Sequence, residues 1–463
     1  MSRVKSKASY LFSGRCSWHF VAAANLRLLV CLMVAGSMIP FPSLSHAEDW
    51  PHWMGPNRDN RWEAEGILKQ FPVGGPKEIW STPVAGGYSG PAVVGDRVFV
   101  TDFVTESNVK VANFDRKEFA GTERVLCLDA GSGEIQWKHE YPVTTSVSYP
   151  AGPRCTPVVD GDLVYTLGAE GNLFAFNRSN GEIVWKRDLR GDYGTDSALW
   201  GYASHPLIDG NKLICVVGGE GSHTVAFNKS TGKEIWKSGT APEQGYSPPK
   251  IIEHGGKRQL ILVSPSFVRS VDPESGDEYW TQEYGATSGS IIMTPIHYGD
   301  FLFVGGYSNR NLLLKLDPNK PGATTVFRDK TKTAISPVNV QPFQDGKLMY
   351  GMNQSGELMA VDIASGERIW STAQPLAERP VGNGTAFIVE NEGMFYMFCE
   401  TGELVLGKMT ETGFTEVDRA AVIEPTNNAF GRPVAWYPPA FANGRMYVRN
   451  DEKIVCFEMT EGR

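Results

Sequence analysis

A motif that ends in tryptophan recurs along most of the chain, and its spacing constrains the fold more than any other feature. Intact copies are GPKEIW ending at Trp80, SGEIQW at Trp137, NGEIVW at Trp185, TGKEIW at Trp236, SGDEYW at Trp280 and SGERIW at Trp370. Two degenerate copies end near Phe327 and Val417, so eight ends follow one another at intervals of 43 to 57 residues. Self-similarity at such a period predicts a fold built from repeated supersecondary units.

The best-preserved unit runs from Thr156 to Trp185 and predicts four short strands. It reads PVV, a DGD turn, LVYTLG, an AEGN turn, LFAFN, an RSNG turn and EIVW. Gly and Asn supply the positive φ angles of tight turns, while the apolar runs are too short and too rich in β-branched residues for helices. Each unit is therefore predicted to be a four-stranded antiparallel sheet.

The first half of the unit also recurs eight times, but it is offset from the motif that ends in tryptophan. The chain begins with a fourth strand, which ends at Trp80, and finishes with a third strand, KIVCFEM around Cys456. The N-terminal strand is therefore expected to complete the last sheet and to close a ring that leaves no open sheet edge. This organisation predicts an all-β fold, an eight-bladed β-propeller of four-stranded antiparallel blades.

The repeat, G-D-x-V-Y-V followed by L-x-A-x-D-x-x-T-G-x-x-x-W, resembles the PQQ-like (pyrroloquinoline-quinone-type) β-propeller repeat from about Trp50 to the C-terminus. The resemblance implies membership of the quinoprotein alcohol dehydrogenase-like superfamily. Some members of that superfamily are quinoprotein alcohol or glucose dehydrogenases. Others, such as the B subunit of the outer-membrane β-barrel assembly machinery, keep the ring and hold no cofactor. The chain is closest in character to these secreted, non-catalytic members.

The first 47 residues differ from the rest in charge and hydropathy. They contain five basic residues, no acidic residue, the apolar run LLVCLMVAGSMIPF and a small-x-small cleavage site at Ser45-His46-Ala47. This pattern predicts a signal peptide at 1–47, a single propeller domain at 48–463, and export to the periplasm or cell envelope. The alternative is an uncleaved anchor, although the apolar run is shorter than the roughly 20 residues that span a bilayer. After cleavage, no integral membrane span is expected.

The charge of the remaining chain excludes one class of partner. The first 47 residues hold five of the 44 basic residues and none of the 52 acidic ones, so residues 48–463 carry a net charge of −13. Such an acidic surface argues against nucleic acid or an anionic membrane as a partner.

The residues that recur in the units are interpreted as architecture. The six tryptophans are expected to fill the wedges between neighbouring sheets. An Asp or Asn at one turn position of six units is expected to bond the following backbone rather than a metal, at Asp129, Asn177, Asn228, Asp272, Asp317 and Asp362. The five cysteines after residue 47 show no CxxC spacing and are expected to be packing residues.

Four segments break the repeat because they are longer than their equivalents in other units. They are Thr101 to Arg124, Lys138 to Arg154, Lys186 to Ser204 and Asp418 to Trp436. All four emerge on one face of the predicted propeller and belong to blades 8, 1, 2 and 3, which are neighbours in a closed ring. We therefore expect them to form a crescent on one rim of the central funnel.

The crescent carries the candidate ligand-binding residues, because long aromatic loops on a rigid scaffold are where binding concentrates. The predicted ligand-binding residues are Arg154, Trp200, Tyr202, His205, Asn427, Arg432, Trp436 and Tyr437. If the protein is an enzyme, Asp192 and Asp196 are the candidate bases. The alternative is that these loops only fill the funnel and cover strand ends.

Two functions follow from this reasoning. The first is an exported, non-catalytic propeller, without cofactor or metal, that binds an envelope protein or an extracellular ligand through the crescent. The second is a PQQ-dependent oxidoreductase acting on an alcohol or sugar. It needs a quinone between aromatic faces such as Trp200 and Trp436, a calcium-type cation and a carboxylate base. The family's alcohol dehydrogenases place adjacent, disulfide-bonded cysteines beside the cofactor, and this sequence has no adjacent cysteines. The first function is preferred.

Overall fold

The chain is all-β wherever the computed structural model describes it, at residues 49–109, 111–286, 290–330 and 333–462. Those residues form 34 strands and one five-residue helix. Thirty-two strands lie in eight four-stranded sheets, and the other two form a separate hairpin. The predicted eight-bladed propeller is confirmed. No helix of the described residues has the length and apolar character of a membrane span. The predicted signal peptide lies outside the described residues.

Strand β1 (Glu78–Pro83) precedes the first complete blade, and blades 1 to 4 then follow in chain order. Their strands are Ala92–Val94, Arg97–Val104, Phe119–Asp129 and Ile135–Thr145 (β2 to β5); Val158–Asp160, Leu163–Leu167, Asn172–Asn177 and Ile183–Asp188 (β6 to β9); Leu207–Asp209, Lys212–Val216, Thr224–Asn228 and Glu234–Ser238 (β10 to β13); and Lys250–His254, Lys257–Val263, Phe267–Val271 and Glu278–Glu283 (β14 to β17).

The second half of the chain supplies blades 5 to 8 and the hairpin. The strands are Ile296–Tyr298, Phe301–Gly306, Arg310–Leu316 and Ala323–Arg328 (β18 to β21); Phe343–Asp345, Leu348–Met352, Leu358–Asp362 and Glu367–Thr372 (β22 to β25); Ala386–Asn391, Met394–Cys399, Glu403–Thr410 and Gly413–Ala421 (β26 to β29); the hairpin Asn427–Ala429 and Arg432–Val434 (β30, β31); and Ala440–Ala442, Arg445–Arg449 and Lys453–Glu458 (β32 to β34).

The first strand in the chain closes the ring. Blade 8 has the strand order β1-β34-β33-β32. In the antiparallel pair of β1 and β34, Trp80 lies opposite Cys456 and Thr82 lies opposite Ile454. The predicted offset between the N-terminal strand and the last three strands is therefore confirmed.

The repeated tryptophans fasten each blade to the next. The indole Nε1 of Trp137 in blade 1 donates to the carbonyl of Arg178 in blade 2 at 3.0 Å, and Trp185 donates to Lys229 of blade 3 at 2.8 Å. Trp80, Trp236 and Trp370 make equivalent bonds. Trp280 differs, because it donates to the side chain of Gln259 within its own blade. The interpretation of these tryptophans as architecture agrees with these contacts.

The glycine of the Gly-x-x-x-Trp motif packs on the tryptophan of the preceding blade. Gly181 has a φ of 74°, and a Cβ added there would lie 2.6 Å from the ring of Trp137. Gly232 stands in the same relation to Trp185, at 2.7 Å. Glycine supplies both the left-handed backbone and the space, so the motif couples successive blades.

The repeated turn residues and the cysteines also have structural roles. Asn228 Oδ1 accepts from the backbone N–H groups of Ser230 and Thr231 at 3.1 and 3.0 Å, and Asp129 accepts from those of Gly131 and Ser132. All five cysteines of the described residues are buried free thiols, at Cys127, Cys155, Cys215, Cys399 and Cys456.

A segment that precedes β1, residues 50–68, closes one end of the central channel. Trp50 exchanges two backbone hydrogen bonds of 2.7 and 2.9 Å with Val93 of blade 1. Farther along, Arg58 donates to the carbonyl of Pro206 beside the first strand of blade 3 at 2.8 Å, and Arg61 pairs with Glu390 of blade 7 at 2.6 Å. Contacts with blades on opposite sides of the ring require the segment to cross the axis. We call residues 50–68 the N-terminal plug.

Candidate functional site

The structure brings the four insertions together as one rim, the crescent. Arg116 of the first insertion donates to the carbonyls of Ser146 in the second and Ser197 in the third, at 2.8 and 3.0 Å. Tyr149 of the second insertion packs edge-on against Trp436 of the fourth, with ring centroids 5.8 Å apart. The insertions therefore support one another rather than projecting separately.

Part of the crescent is strand rather than loop. Strands β3, β4 and β5 of blade 1 contain 8, 11 and 11 residues, and they pair as far as Val104 opposite Thr122 and Phe119 opposite Thr145. The connection between β3 and β4 is thereby reduced to residues 105–118. This extended sheet forms the blade 1 part of the crescent.

The third insertion contains helix α1 (Leu189–Tyr193). Asp188 caps its N-terminus by accepting from the Gly191 N–H at 3.2 Å, and Gly194 ends it with a φ of 59°. The chain then returns to blade 2, where the Tyr202 N–H donates to the carbonyl of Ala169 at 2.9 Å.

Two buried glutamates hold the crescent in place. Glu170 accepts from the Ser146 N–H at 2.5 Å, from Arg190 at 2.7 Å and from the Ser197 hydroxyl, so it joins the second insertion to the third. Glu400 accepts from Arg432 at 2.7 Å and from the Trp436 indole at 3.2 Å, so it fixes the fourth insertion. Both carboxylates are about 3% exposed.

The crescent surrounds a cavity of about 270 Å³ in the central funnel. Half of its lining residues are aromatic, and the others are polar side chains, aliphatic side chains and prolines. The aromatic lining consists of Trp53, Tyr88, Phe114, Tyr149, Trp200, Tyr246, Tyr307, Phe387, Phe430 and Trp436, and the polar lining of Asn113, Arg154, His205, Ser290 and Asn339. Trp53 comes from the N-terminal plug, so the plug forms part of the cavity wall.

One position of the repeat supplies much of this lining. In seven of the eight blades, the residue four positions before the first strand lines the cavity; these residues are Tyr88, Arg154, Ala203, Tyr246, Ile292, Asn339 and Trp436. The chain approaches the first strand in an extended conformation, in which alternate residues share a face. The residue two positions before the first strand shares that face, and in three blades it also lines the cavity, as His205, Pro248 and Pro438.

Four of the eight predicted ligand-binding residues line the cavity, namely Arg154, Trp200, His205 and Trp436. Trp200 is held by Asn113, which accepts from its indole N–H at 3.1 Å, and it packs against Phe114 at a centroid distance of 5.8 Å.

The other four predicted ligand-binding residues lie behind the lining. Tyr202 is buried and donates to the carbonyl of Val217 at 3.1 Å. Tyr437 is also buried and stacks on Tyr88, with an interplanar angle of 15°. Asn427 and Arg432 belong to the hairpin of β30 and β31, where Arg432 is bound to Glu400.

Neither candidate base lines the cavity. Asp192 lies on α1, 3.3 Å from Arg187 of β9. The Asp196 side chain is 93% exposed, and its nearest cation is Arg190 at 3.9 Å. Neither carboxylate therefore faces the cavity that Trp200 and Trp436 line.

Arg154 is a buried cation whose partners are backbone carbonyls. Its guanidinium donates to the carbonyls of Gly152, Ser148 and Tyr149, and its Cζ lies 5.1 Å from the centroid of the Tyr88 ring. Burial lowers the pKa of Arg154 from its usual value. No carboxylate of the described residues forms an ion pair with it.

Two other polar side chains in the lining have unused hydrogen-bonding atoms. His205 is 7% exposed, and both of its ring nitrogens lack a partner. Burial lowers the pKa of His205 well below 6.5, and the nearby charge of Arg58 lowers it further, so the ring is neutral and offers one donor and one acceptor. Asn339 Oδ1 is likewise buried without a partner.

Residues 121–372, more than half of the chain, match the family model described as outer membrane protein assembly factor BamB. The chain belongs to this family. BamB of Shewanella oneidensis is 21% identical over 273 residues, which cover 56% of this chain and 67% of that protein. The quinohemoprotein alcohol dehydrogenase ADH-IIG of Pseudomonas putida is 27% identical over 174 residues, or 35% of this chain and only 22% of the dehydrogenase.

A solved structure of the BamB family shows the same fold. The crystal structure of BamB from Moraxella catarrhalis aligns with a TM-score of 0.54 at 15% sequence identity, over 83% of this chain and 99% of that chain. At 15% identity, this similarity shows a shared propeller fold and nothing more specific.

The cavity of this BamB-family chain does not fit a calcium-bound quinone. Such a cofactor needs carboxylate ligands and a base, and no Asp or Glu lines the cavity. The undescribed residues between 49 and 462, namely 110, 287–289, 331 and 332, include no acid. Among the described residues, no group of three or more His, Cys, Asp and Glu side chains could hold a metal ion.

Sequence reasoning missed much of the lining. Trp53 lies in the N-terminal plug, which carries no repeat, and Phe114 and Tyr307 lie in connections between second and third strands. Tyr88, Tyr246 and Asn339 occupy the position four residues before a first strand, and that register is the signal that could have found them.

Proposed function

We propose that this chain is an exported, non-catalytic propeller that binds a ligand in the cavity of the crescent face, or a partner protein that reaches into it. One observation carries the proposal: the position four residues before the first strand lines the channel, yet it differs from blade to blade. Tyr88, Arg154 and Trp436 occupy it in blades 1, 2 and 8. Positions that serve only the ring, such as the tryptophan of the fourth strand, stay nearly uniform.

Export is supported by the leader-like sequence of residues 1–47 and by membership of the BamB family. An envelope protein is the partner class that membership of an outer-membrane assembly factor family favours. The acidic charge of residues 48–463 disfavours nucleic acid.

Hydrogen–deuterium exchange of the purified protein tests the proposal. Amide exchange is measured for the protein alone, for the protein with a small-molecule extract of the producing cells, and for the protein with envelope proteins of those cells. Protection confined to the crescent and the cavity lining is expected with at least one addition. No protection, or protection only on the opposite face, contradicts the proposal.

Calorimetric titration with pyrroloquinoline quinone and calcium tests the oxidoreductase alternative. We expect no saturable binding, because the lining offers no carboxylate. Saturable binding that is lost in Trp200→Ala or Trp436→Ala would favour the oxidoreductase instead.

A further inference from the structure

Among the described residues, one charged side chain lines the cavity, and it forms no direct ion pair. Arg154 is 9% exposed. Glu123 and Glu170 lie close enough to act on its pKa, but each is bound by other donors: Glu123 by Tyr141 and the Ala169 N–H, and Glu170 by Arg190. Burying a charge without a partner is costly. An anion that enters the cavity will therefore be stabilised beside Arg154.

Arg154 also has donors to spare. A guanidinium offers five N–H groups, and three of them are used by the carbonyls of Gly152, Ser148 and Tyr149. The two remaining N–H groups, on Nε and Nη1, lie on different edges of the guanidinium, so an anion can accept one hydrogen bond from either of them.

The remaining lining selects against polar and large ligands. The aromatic walls suit a flat apolar body, whereas a neutral sugar would bury hydroxyl groups that find few partners there. Because the N-terminal plug crosses the channel and Trp53 lines the cavity, the plug covers the cavity on the side away from the crescent. A volume of about 270 Å³ suits a small molecule rather than a polymer.

Building on the proposed function, we propose that the cavity binds a small aromatic or heteroaromatic acid with one carboxylate, which pairs with Arg154 while the ring packs among Trp200, Tyr246 and Trp436. One cation without a direct ion pair matches one anionic group.

Calorimetric titration of the purified protein with matched acids and amides tests this inference. The probes are benzoate, indole-3-carboxylate and 2-naphthoate, each compared with its primary amide. At least one acid is expected to bind saturably, with its amide about tenfold to hundredfold weaker, because a hydrogen bond to a charged group is lost. This comparison uses the unaltered protein and does not depend on the folding of a variant.

A pair of variants then locates the anion site. Arg449 is a matched control for Arg154, since it too is buried, donates only to backbone carbonyls and packs on a tyrosine, but it does not line the cavity. Arg154→Gln should abolish the preference for acid over amide, and Arg449→Gln should retain it. Loss of the preference in Arg449→Gln alone would overturn the assignment.

The outcomes separate this inference from the proposed function. Equal affinity for an acid and its amide, or no binding by any of the three acids at millimolar concentration, overturns the anion site. In either case, protection of the crescent in the exchange experiment would leave the proposed function standing. If no acid binds and no addition protects the crescent from exchange, both the anion site and the proposed function are overturned.

Discussion

Burial keeps two histidines of this propeller neutral. His223 is fully buried, with its ring nitrogens 3.0 Å from the carbonyl of Gln244 and 2.9 Å from the Thr224 hydroxyl. Burial lowers the pKa of His223 to about 4. The pKa of His52 in the N-terminal plug is also lowered to about 4, by burial first and by the charge of Arg58 second. Folding therefore competes with protonation of these rings.

We predict that the free energy of unfolding decreases as the pH falls from about 6.5 to about 4. In that window the unfolded chain binds protons that the folded chain excludes, so stability rises with pH. For His223 the loss at pH 5 is about 2 kcal/mol. Urea unfolding of the wild type and of His223→Gln at pH 7.5 and 5 measures it. The variant should show a smaller difference between the two pH values; an unchanged difference contradicts the assignment.

Single residues were predictable from the sequence where every blade needs the same side chain. Trp137 and Trp185 were recognised as architecture because their position repeats. The lining residues Tyr88, Tyr246 and Asn339 were not recognised, because the residue at their shared position differs from blade to blade. That position can be located only once the start of each first strand is known. Tyr202 and Tyr437 were expected at the site from their place in long segments, yet neighbouring strands cover them.

At the scale of elements, the positions of the insertions were predictable but their conformations were not. The four insertions were located because the segments between repeated motifs are longer there than elsewhere in the chain. The extension of β4 and β5 could not be read from length, because it depends on the pairing of Phe119 with Thr145 across the sheet. The glutamates that fix the insertions were also missed, since Glu170 and Glu400 lie outside them, in the connections between second and third strands.

We predict that Glu400→Gln loosens the hairpin of β30 and β31. The substitution keeps the size of the side chain but removes the charge that accepts from Arg432 and from the Trp436 indole. A cost of about 1–3 kcal/mol is expected for weakening bonds to a buried charged group. Hydrogen exchange of residues 427–436 should accelerate, and ligand protection of the cavity should weaken.

Glu403→Gln is the matched control for this prediction. Glu403 also accepts from an arginine, Arg419, at 3.1 Å, but the pair is about one third exposed. An exposed pair contributes about 0–1 kcal/mol, so exchange in the hairpin should stay at the wild-type rate. Equal acceleration in both variants would show that Glu400 does not fix the hairpin.

At the scale of the whole molecule, the sequence predicted the ring but not its closed end. Ring closure follows from the offset of the repeats, which starts with a lone fourth strand. The N-terminal plug carries no repeat and has little apolar periodicity, and its position depends on contacts with blades that are far away in sequence, such as that of Arg61 with Glu390. The plug covers one end of the channel and contributes Trp53 to the cavity wall.

Closure by β1 gives the last prediction. Adjacent residues of an edge strand direct their N–H groups alternately toward and away from the neighbouring strand, so the double substitution Ser81→Pro and Thr82→Pro removes at least one bond to β34. The matched control is Thr281→Pro with Gln282→Pro in β17, the outer strand of blade 4. Each double substitution costs about 1–2 kcal/mol of hydrogen bonding. Only the substitution in β1 detaches the strand that joins the two ends of the ring, and it leaves β34 as an open edge. The blade 8 variant should therefore unfold at a lower temperature than the control and associate with increasing concentration in analytical ultracentrifugation. Equal behaviour of the two variants would mean that the ring does not depend on β1 for closure.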